Sequence, residues 1–108
     1  MSIALMSLVW ERSDHKGSEL LTLLAIADNA NDETEEAFPS IALLSRKTRL
    51  APRSIQYVLT KLYDSGELTL VRRGRWGQAS VYRINTQTLR DREPKLTTQE
   101  APKLTVVT

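Results

Sequence analysis

The sequence predicts an α+β domain, mostly α: three core helices and a two-stranded β-hairpin, with an extra segment at the N-terminus. Three observations carry this. Leu20 to Ala30 is apolar around most of a helical circumference, as in the central helix of a small core. Ile55, Val58, Leu59 and Leu62 fall at i, i+3, i+4 and i+7, one stripe of a helix with a polar far side. Beyond Gly66 the period changes to two, over Glu67 to Arg73 and again over Ala79 to Ile84, around a loop bracketed by Gly74 and Gly77.

In chain order, Ile3 to Trp10 reads as a short apolar helix. Gly17 and Ser18 punctuate, with Ser18 as N-cap and Glu19 in the first turn of the central helix. Asn29 to Glu36 is an acidic, solvated loop without metal-ligand spacing. Phe38-Pro39-Ser40 opens the next helix, capped by Ser40, with Ile41, Ala42 and Leu44 on its apolar side and an end near Lys47. Thr48 to Ala51 is a turn. Pro52 suits the first position of the following helix, and Gly66 a left-handed stop. In the hairpin, Leu68, Leu70, Tyr82 and Ile84 face inward. Thr86 to Arg92 continues as a short helix, within a region 86–108 read as a flexible or partner-binding tail beside a domain of residues 1–85. The tail repeats Pro94-Lys95-Leu96-Thr97 as Pro102-Lys103-Leu104-Thr105, which suits a spacer or a docking segment that adds as a strand.

Composition bounds the function. A chain of 108 residues makes one domain, and 41% hydrophobic with 26% charged residues is ordinary for a globular protein. Cysteine is absent, which excludes disulfides and thiolate metal sites and suits a reducing cytosol. His15, the one histidine, has no cluster around it in sequence and reads as a turn or surface residue. No catalytic residues, metal or cofactor are expected. Ser2 to Trp10 is too short for a membrane span and lacks the basic lead of a signal peptide. The location expected is the cytoplasm.

Charge is divided along the chain. Residues 1–45 carry two basic against eight acidic residues, and residues 46–84 nine basic against two acidic. A directed positive face of this kind suits a polyanion. The stripe of the second short-spaced helix leaves Arg53, Ser54, Gln56, Tyr57, Thr60 and Lys61 outward. Arginine can bond guanine bidentately, glutamine adenine, and serine or threonine either bases or phosphates. Arg53, Ser54, Gln56 and Tyr57, in the first turns, are the candidates for base readout. Ser40, Ser45, Arg46, Lys47, Arg49, Thr60 and Lys61 are the candidates for backbone contact, Ser40 by way of the N–H groups of the helix it opens. Arg72, Arg73, Arg75, Trp76 and Gln78 crowd the hairpin tip, where arginines can enter a minor groove. Trp76 has two readings, packing on the domain or pressing on the DNA sugar-phosphate chain.

The run Phe38-Pro39-Ser40-Ile41-Ala42-x-Leu44, then Thr48-x-Leu50-Ala51-x-Arg53-Ser54-Ile55-Gln56, Leu59-x-x-Leu62 and Gly66, resembles the winged helix-turn-helix domains of bacterial, phage and plasmid proteins. Ala27-Asp28-Asn29-Ala30-Asn31 and Val9-Trp10 extend the likeness, which covers about residues 3–85. Such domains are similar to the N-terminal domains of phage and plasmid replication initiators and to small bacterial transcriptional regulators. The resemblance implies a double-stranded DNA partner, with the hairpin as wing. Ala51 departs from the serine or threonine usual at that cap, and no second domain of the initiator kind is expected after the wing. The alternative is a protein-protein interaction module that uses the acidic face or the repeated tail motif. A homodimer through Ile3, Leu5, Leu8 and Trp10 is a further expectation; the alternative is that the same residues cap the domain's own core.

Overall fold

A computed structural model describes residues 2–75 and 78–95. Five helices and three short strands follow in the order α1 (Ile3–Arg12), α2 (Ser18–Asn29), β1 (Glu36–Ala37), α3 (Ile41–Thr48), α4 (Pro52–Ser65), β2 (Leu68–Arg72), β3 (Val81–Ile84) and α5 (Thr86–Arg90).

The Ser2 hydroxyl accepts from the Leu5 N–H at 3.2 Å, so α1 starts with one orphan donor satisfied. Leu5 and Val9, four apart, turn into the core while Ile3 and Trp10 stay outside. Ser18 does not cap α2. Gly17 holds that position at φ +59, a conformation that strains any residue with a Cβ, and Ser18 is the first helical residue. Leu23, Leu24, Ala25, Ile26 and Ala27 are buried, which makes α2 the centre of the core. Thr22 is buried beside them because its hydroxyl donates to the Ser18 carbonyl at 2.8 Å. Leu21, by contrast, is 44% exposed, so the apolar circumference of α2 is not wholly covered.

The sheet has three strands, where the sequence predicted two. The acidic loop ends in β1, which pairs antiparallel with β3 through Glu36 opposite Arg83 and Ala37 opposite Tyr82. The order is β1-β3-β2, and the hairpin strand β3 is therefore central. A strand of two residues shows no alternation, which is why this element escapes a periodicity argument. An Arg83–Glu36 ion pair at 2.7 Å joins the two strands on their outer side. In the β2–β3 ladder, Leu68 faces Ile84 and Leu70 faces Tyr82, with an irregularity between Leu70 and Arg72. The extra residue, Val71, lies on β2; on the central strand the neighbours Val81 and Tyr82 are both buried.

Ser40 caps α3 as expected, accepting from the Leu43 N–H at 3.0 Å. Leu44 is buried, but Ala42 is exposed and does not belong to the apolar side. Thr48 closes α3 from inside the helix: it is buried, with its hydroxyl donating to the Leu44 carbonyl at 2.7 Å. Arg49 then turns the chain at φ +66. Pro52 begins α4, whose Ala51 cap makes no side-chain hydrogen bond, and Ile55, Val58, Leu59 and Leu62 are its buried stripe. Gly66 ends it at φ +83.

The packed body extends beyond residue 85. The helix after β3 is α5, shorter than the expected Thr86 to Arg92, and its Leu89 is fully buried. The Arg12 guanidinium donates to the carbonyls of Arg90 and Arg92, at 3.2 and 3.0 Å. Arg92 in turn donates to the Ser65 carbonyl at 2.9 Å and pairs with Asp14 at 3.1 Å. Lys95 also pairs with Asp14. Residues 96–108, which hold the second copy of the repeated tail motif and Leu96-Thr97 of the first, lie outside the described residues. No helix among the described residues is long and apolar enough to cross a membrane.

Candidate nucleic-acid interface

Burial of the Ile55 stripe fixes the rotation of α4, and with it the side that meets solvent. Arg53, Ser54, Gln56, Tyr57 and Thr60 are all exposed along that side. Tyr57 is the extreme case, an aromatic ring 64% exposed. The Lys61 ammonium lies 5.0 Å from its ring centre, a cation–π contact that holds the phenol beside a positive charge. The Thr60 hydroxyl donates back to the Gln56 carbonyl at 3.2 Å.

The preceding helix contributes unevenly. Arg46 and Arg49 are exposed at and just after its end. The Ser45 hydroxyl donates to the Leu50 carbonyl and so holds the turn between α3 and α4 in shape. Lys47 pairs with Asp28 of α2, so a phosphate at Lys47 competes with that carboxylate. Ser40 is exposed, but its oxygen already serves as a cap.

At the hairpin tip Arg72, Arg73, Arg75 and Gln78 line one hollow. The turn is tight enough to require glycine at 74. A Cβ there would stand 2.1 Å from the Gln78 carbonyl oxygen and 2.7 Å from backbone atoms of Ala79 and Ser80. The Gly74 N–H donates to the Ser80 hydroxyl at 2.9 Å, and the Gln78 N–H to the Arg75 carbonyl at 2.9 Å. Trp76 lies outside the described residues.

A groove joins the two basic elements. Gln56, Thr60 and Tyr63 of α4 and Arg73, Ser80 and Tyr82 of the hairpin line it. Burial pushes the Tyr63 phenol up to about 12, and the Arg73 charge only partly opposes this. Tyr82 is raised as well, first by burial, with a Ser80 hydrogen bond and Arg73 working against it. Both phenols are therefore held neutral in a groove that the Arg73 guanidinium also lines.

Behind this face sits a polar cluster that sequence reasoning missed. His15 Nδ1 is 2.8 Å from Glu19 Oε1, and its Nε2 is 2.7 Å from Ser65 Oγ. Only Glu19, at i+4, is a neighbour in sequence; Ser65 is fifty residues away and carries no local signal. The order carboxylate, imidazole, hydroxyl is that of a nucleophilic triad. The surroundings have the wrong polarity for one. Ser65 is the last residue of α4, its hydroxyl donates to the Leu62 carbonyl at 3.0 Å, and a helix end of this kind presents oxygens rather than the N–H groups an oxyanion needs. Glu67, also missed, is fully buried, and its carboxylate accepts from Ser13 and from the Asp14 N–H. Among the described residues no group of His, Cys, Asp and Glu has the geometry to hold a metal ion.

No protein-family model, curated protein or solved structure matches the chain.

Proposed function

We propose that the protein is a sequence-specific double-stranded DNA-binding protein of winged helix-turn-helix type, acting by occupancy rather than catalysis. The observation that carries this is the groove shared by Gln56 and Thr60 of α4 and Arg73 of the hairpin, with Arg53, Ser54 and Tyr57 exposed on the same helix and Arg72 and Arg75 beside Arg73 at the hairpin tip. In this reading α4 is the recognition helix in the major groove, with Arg53 and Gln56 offering bidentate bonds to bases. Arg46, Arg49 and Lys61 neutralise phosphates. Arg72, Arg73 and Arg75 form a wing beside the neighbouring minor groove, where cationic side chains follow groove width. The role is that of a transcriptional regulator, or of a replication or partition accessory factor of a bacterial mobile element, working in the cytoplasm.

The test is duplex selection from a random pool, followed by titration of the selected site. Arg53→Ala and Gln56→Ala are expected to relax the preference, each by about 1–3 kcal/mol per base pair read. A pool that yields no consensus would contradict the reading.

A second reading, a protein-interaction module, has one observation in its favour: the apolar side chains Ile3, Trp10 and Leu21 are 70%, 50% and 44% exposed on the side of α1 and α2 away from the core.

A further inference from the structure

The exposed face of α1 has no part in the DNA reading and needs its own account. Leu5 and Val9 are buried, so Leu5 is not available to a partner, and Leu8 is half-buried against the core on another side of the helix. The opposite side of the helix carries Ile3, Ser7 and Trp10, at i, i+4 and i+7. Ile3 and Trp10 are the exposed apolar ends of that row. Met6 on its flank, with Leu21, Leu24 and Ala25 of α2, continues the apolar surface into a shallow groove that ends at Asp28 and Lys47. Ile3, at the other end of the row, borders a separate hollow with Leu8, Thr86 and Arg90. Scattered exposed apolar residues are ordinary, but Met6 and Leu21 gathered around the Trp10 indole have the composition of an interface centre.

The pattern is complementary to itself. Ser7, small, lies at the middle of the row, with large residues at both ends. Two such helices laid antiparallel about a two-fold axis through Ser7 approach closely at the small residue and set Ile3 of each against Trp10 of the other. The charges agree with this direction. α1 has no acidic residue in its first turn, so the positive end of its dipole is not met within the helix. Glu11, exposed next to Trp10, is carried by the antiparallel arrangement to the first turn of the other copy. The groove rim, in contrast, is an Asp28–Lys47 pair that is neutral as a unit and offers little to select a charged peptide.

We infer that α1 is the interface of an isologous homodimer, in which Ile3, Ser7 and Trp10 of two copies pack antiparallel around a two-fold axis. The inference is independent of DNA and is tested without it. The chain contains no cysteine, so Ser7→Cys introduces a sole thiol beside the proposed axis. Under mild oxidation Ser7→Cys is expected to give a disulfide-linked dimer, and Ser54→Cys, exposed on α4, is not. Light scattering on the full chain should show a mass that doubles with concentration, and Ile3→Glu should return it to monomer. An acid in a first helical turn is itself favourable, so Ile3→Glu keeps the fold, which circular dichroism checks. A monomer at every concentration, a dimer that survives Ile3→Glu, or equal cross-linking at both thiols would overturn the inference. So would a monomer of Trp76→Phe whose remaining indole, Trp10, changes its emission when residues 96–108 are removed, since that assigns the face to the chain's own tail.

Discussion

The Ser13 hydroxyl donates to Glu67 across 2.6 Å, with both side chains buried. The bond joins the end of α1 to the residue before β2, and so couples the N-terminal segment to the hairpin. The Asp14 N–H adds a second bond to the same carboxylate at 3.0 Å, and the Arg92 guanidinium stands 3.7 Å away. Removing the carboxylate leaves the buried Ser13 hydroxyl and the Asp14 N–H without their acceptor. Glu67→Ala is expected to destabilise the fold by about 3–5 kcal/mol, and Ser13→Ala by about 1–3 kcal/mol. Urea unfolding of the two variants and their double mutant reads both numbers. The double mutant should lose less than the sum, because the two residues share one bond.

The Tyr63 phenol predicts an alkaline limb. Its folded value, about 12, lies above the ordinary 10.0 because burial disfavours the phenolate. The stabilisation from the neutral form is therefore complete below 10.0 and is lost as pH rises towards about 12. Urea midpoints should fall across that window. Tyr63→Phe should flatten the fall, leaving the part that belongs to Tyr82, whose phenol burial also raises. Tyrosinate absorbance should show a late-titrating phenol that the variant lacks.

Ala51 stands in extended conformation, φ −64 and ψ 151, with no side-chain bond to the helix it opens. A hydroxyl there can reach an orphan N–H of α4. Ala51→Ser should therefore raise stability by about 1 kcal/mol, visible as a higher urea midpoint with an unchanged slope.

Gly74 offers a test that separates the hairpin tip from the core. A Cβ placed 2.1 Å from a backbone oxygen cannot be absorbed by a rotamer change, so Gly74→Ala must open the turn that sets Arg72, Arg73 and Arg75 together. Duplex affinity should fall about tenfold, on the order of 1.4 kcal/mol. Circular dichroism of the helices should not change.

Much of this molecule is legible in its residues, and the rest is hidden for stated reasons. The buried stripe of α4, the Ser40 cap, Pro52 and the left-handed Gly66 are local features, and local features leave periodic or compositional marks. The outward row Arg53 to Tyr57 follows from that stripe, because choosing the buried side of a helix chooses the exposed one. Strand β1 was hidden because two residues have no period. The Ser13–Glu67 and His15–Ser65 bonds were hidden because their partners are far apart in sequence. Arg92 and Leu89 looked like tail because nothing in their neighbourhood announces that α5 lies against α1. Lys47, read as a phosphate ligand, is held by Asp28, a neighbour that only the packing of α3 on α2 supplies.

The central claim, that the face of α4 and the hairpin tip binds duplex DNA, is tested most directly by measuring the salt dependence of duplex affinity for the wild type, Gln56→Ala and Arg75→Ala. Log affinity is expected to fall linearly with log salt. Arg75→Ala should lower that slope by about one phosphate contact and weaken all sequences alike, and Gln56→Ala should keep the slope but lose preference among sequences. Duplex binding that is absent, or that ignores salt and both substitutions, would contradict it.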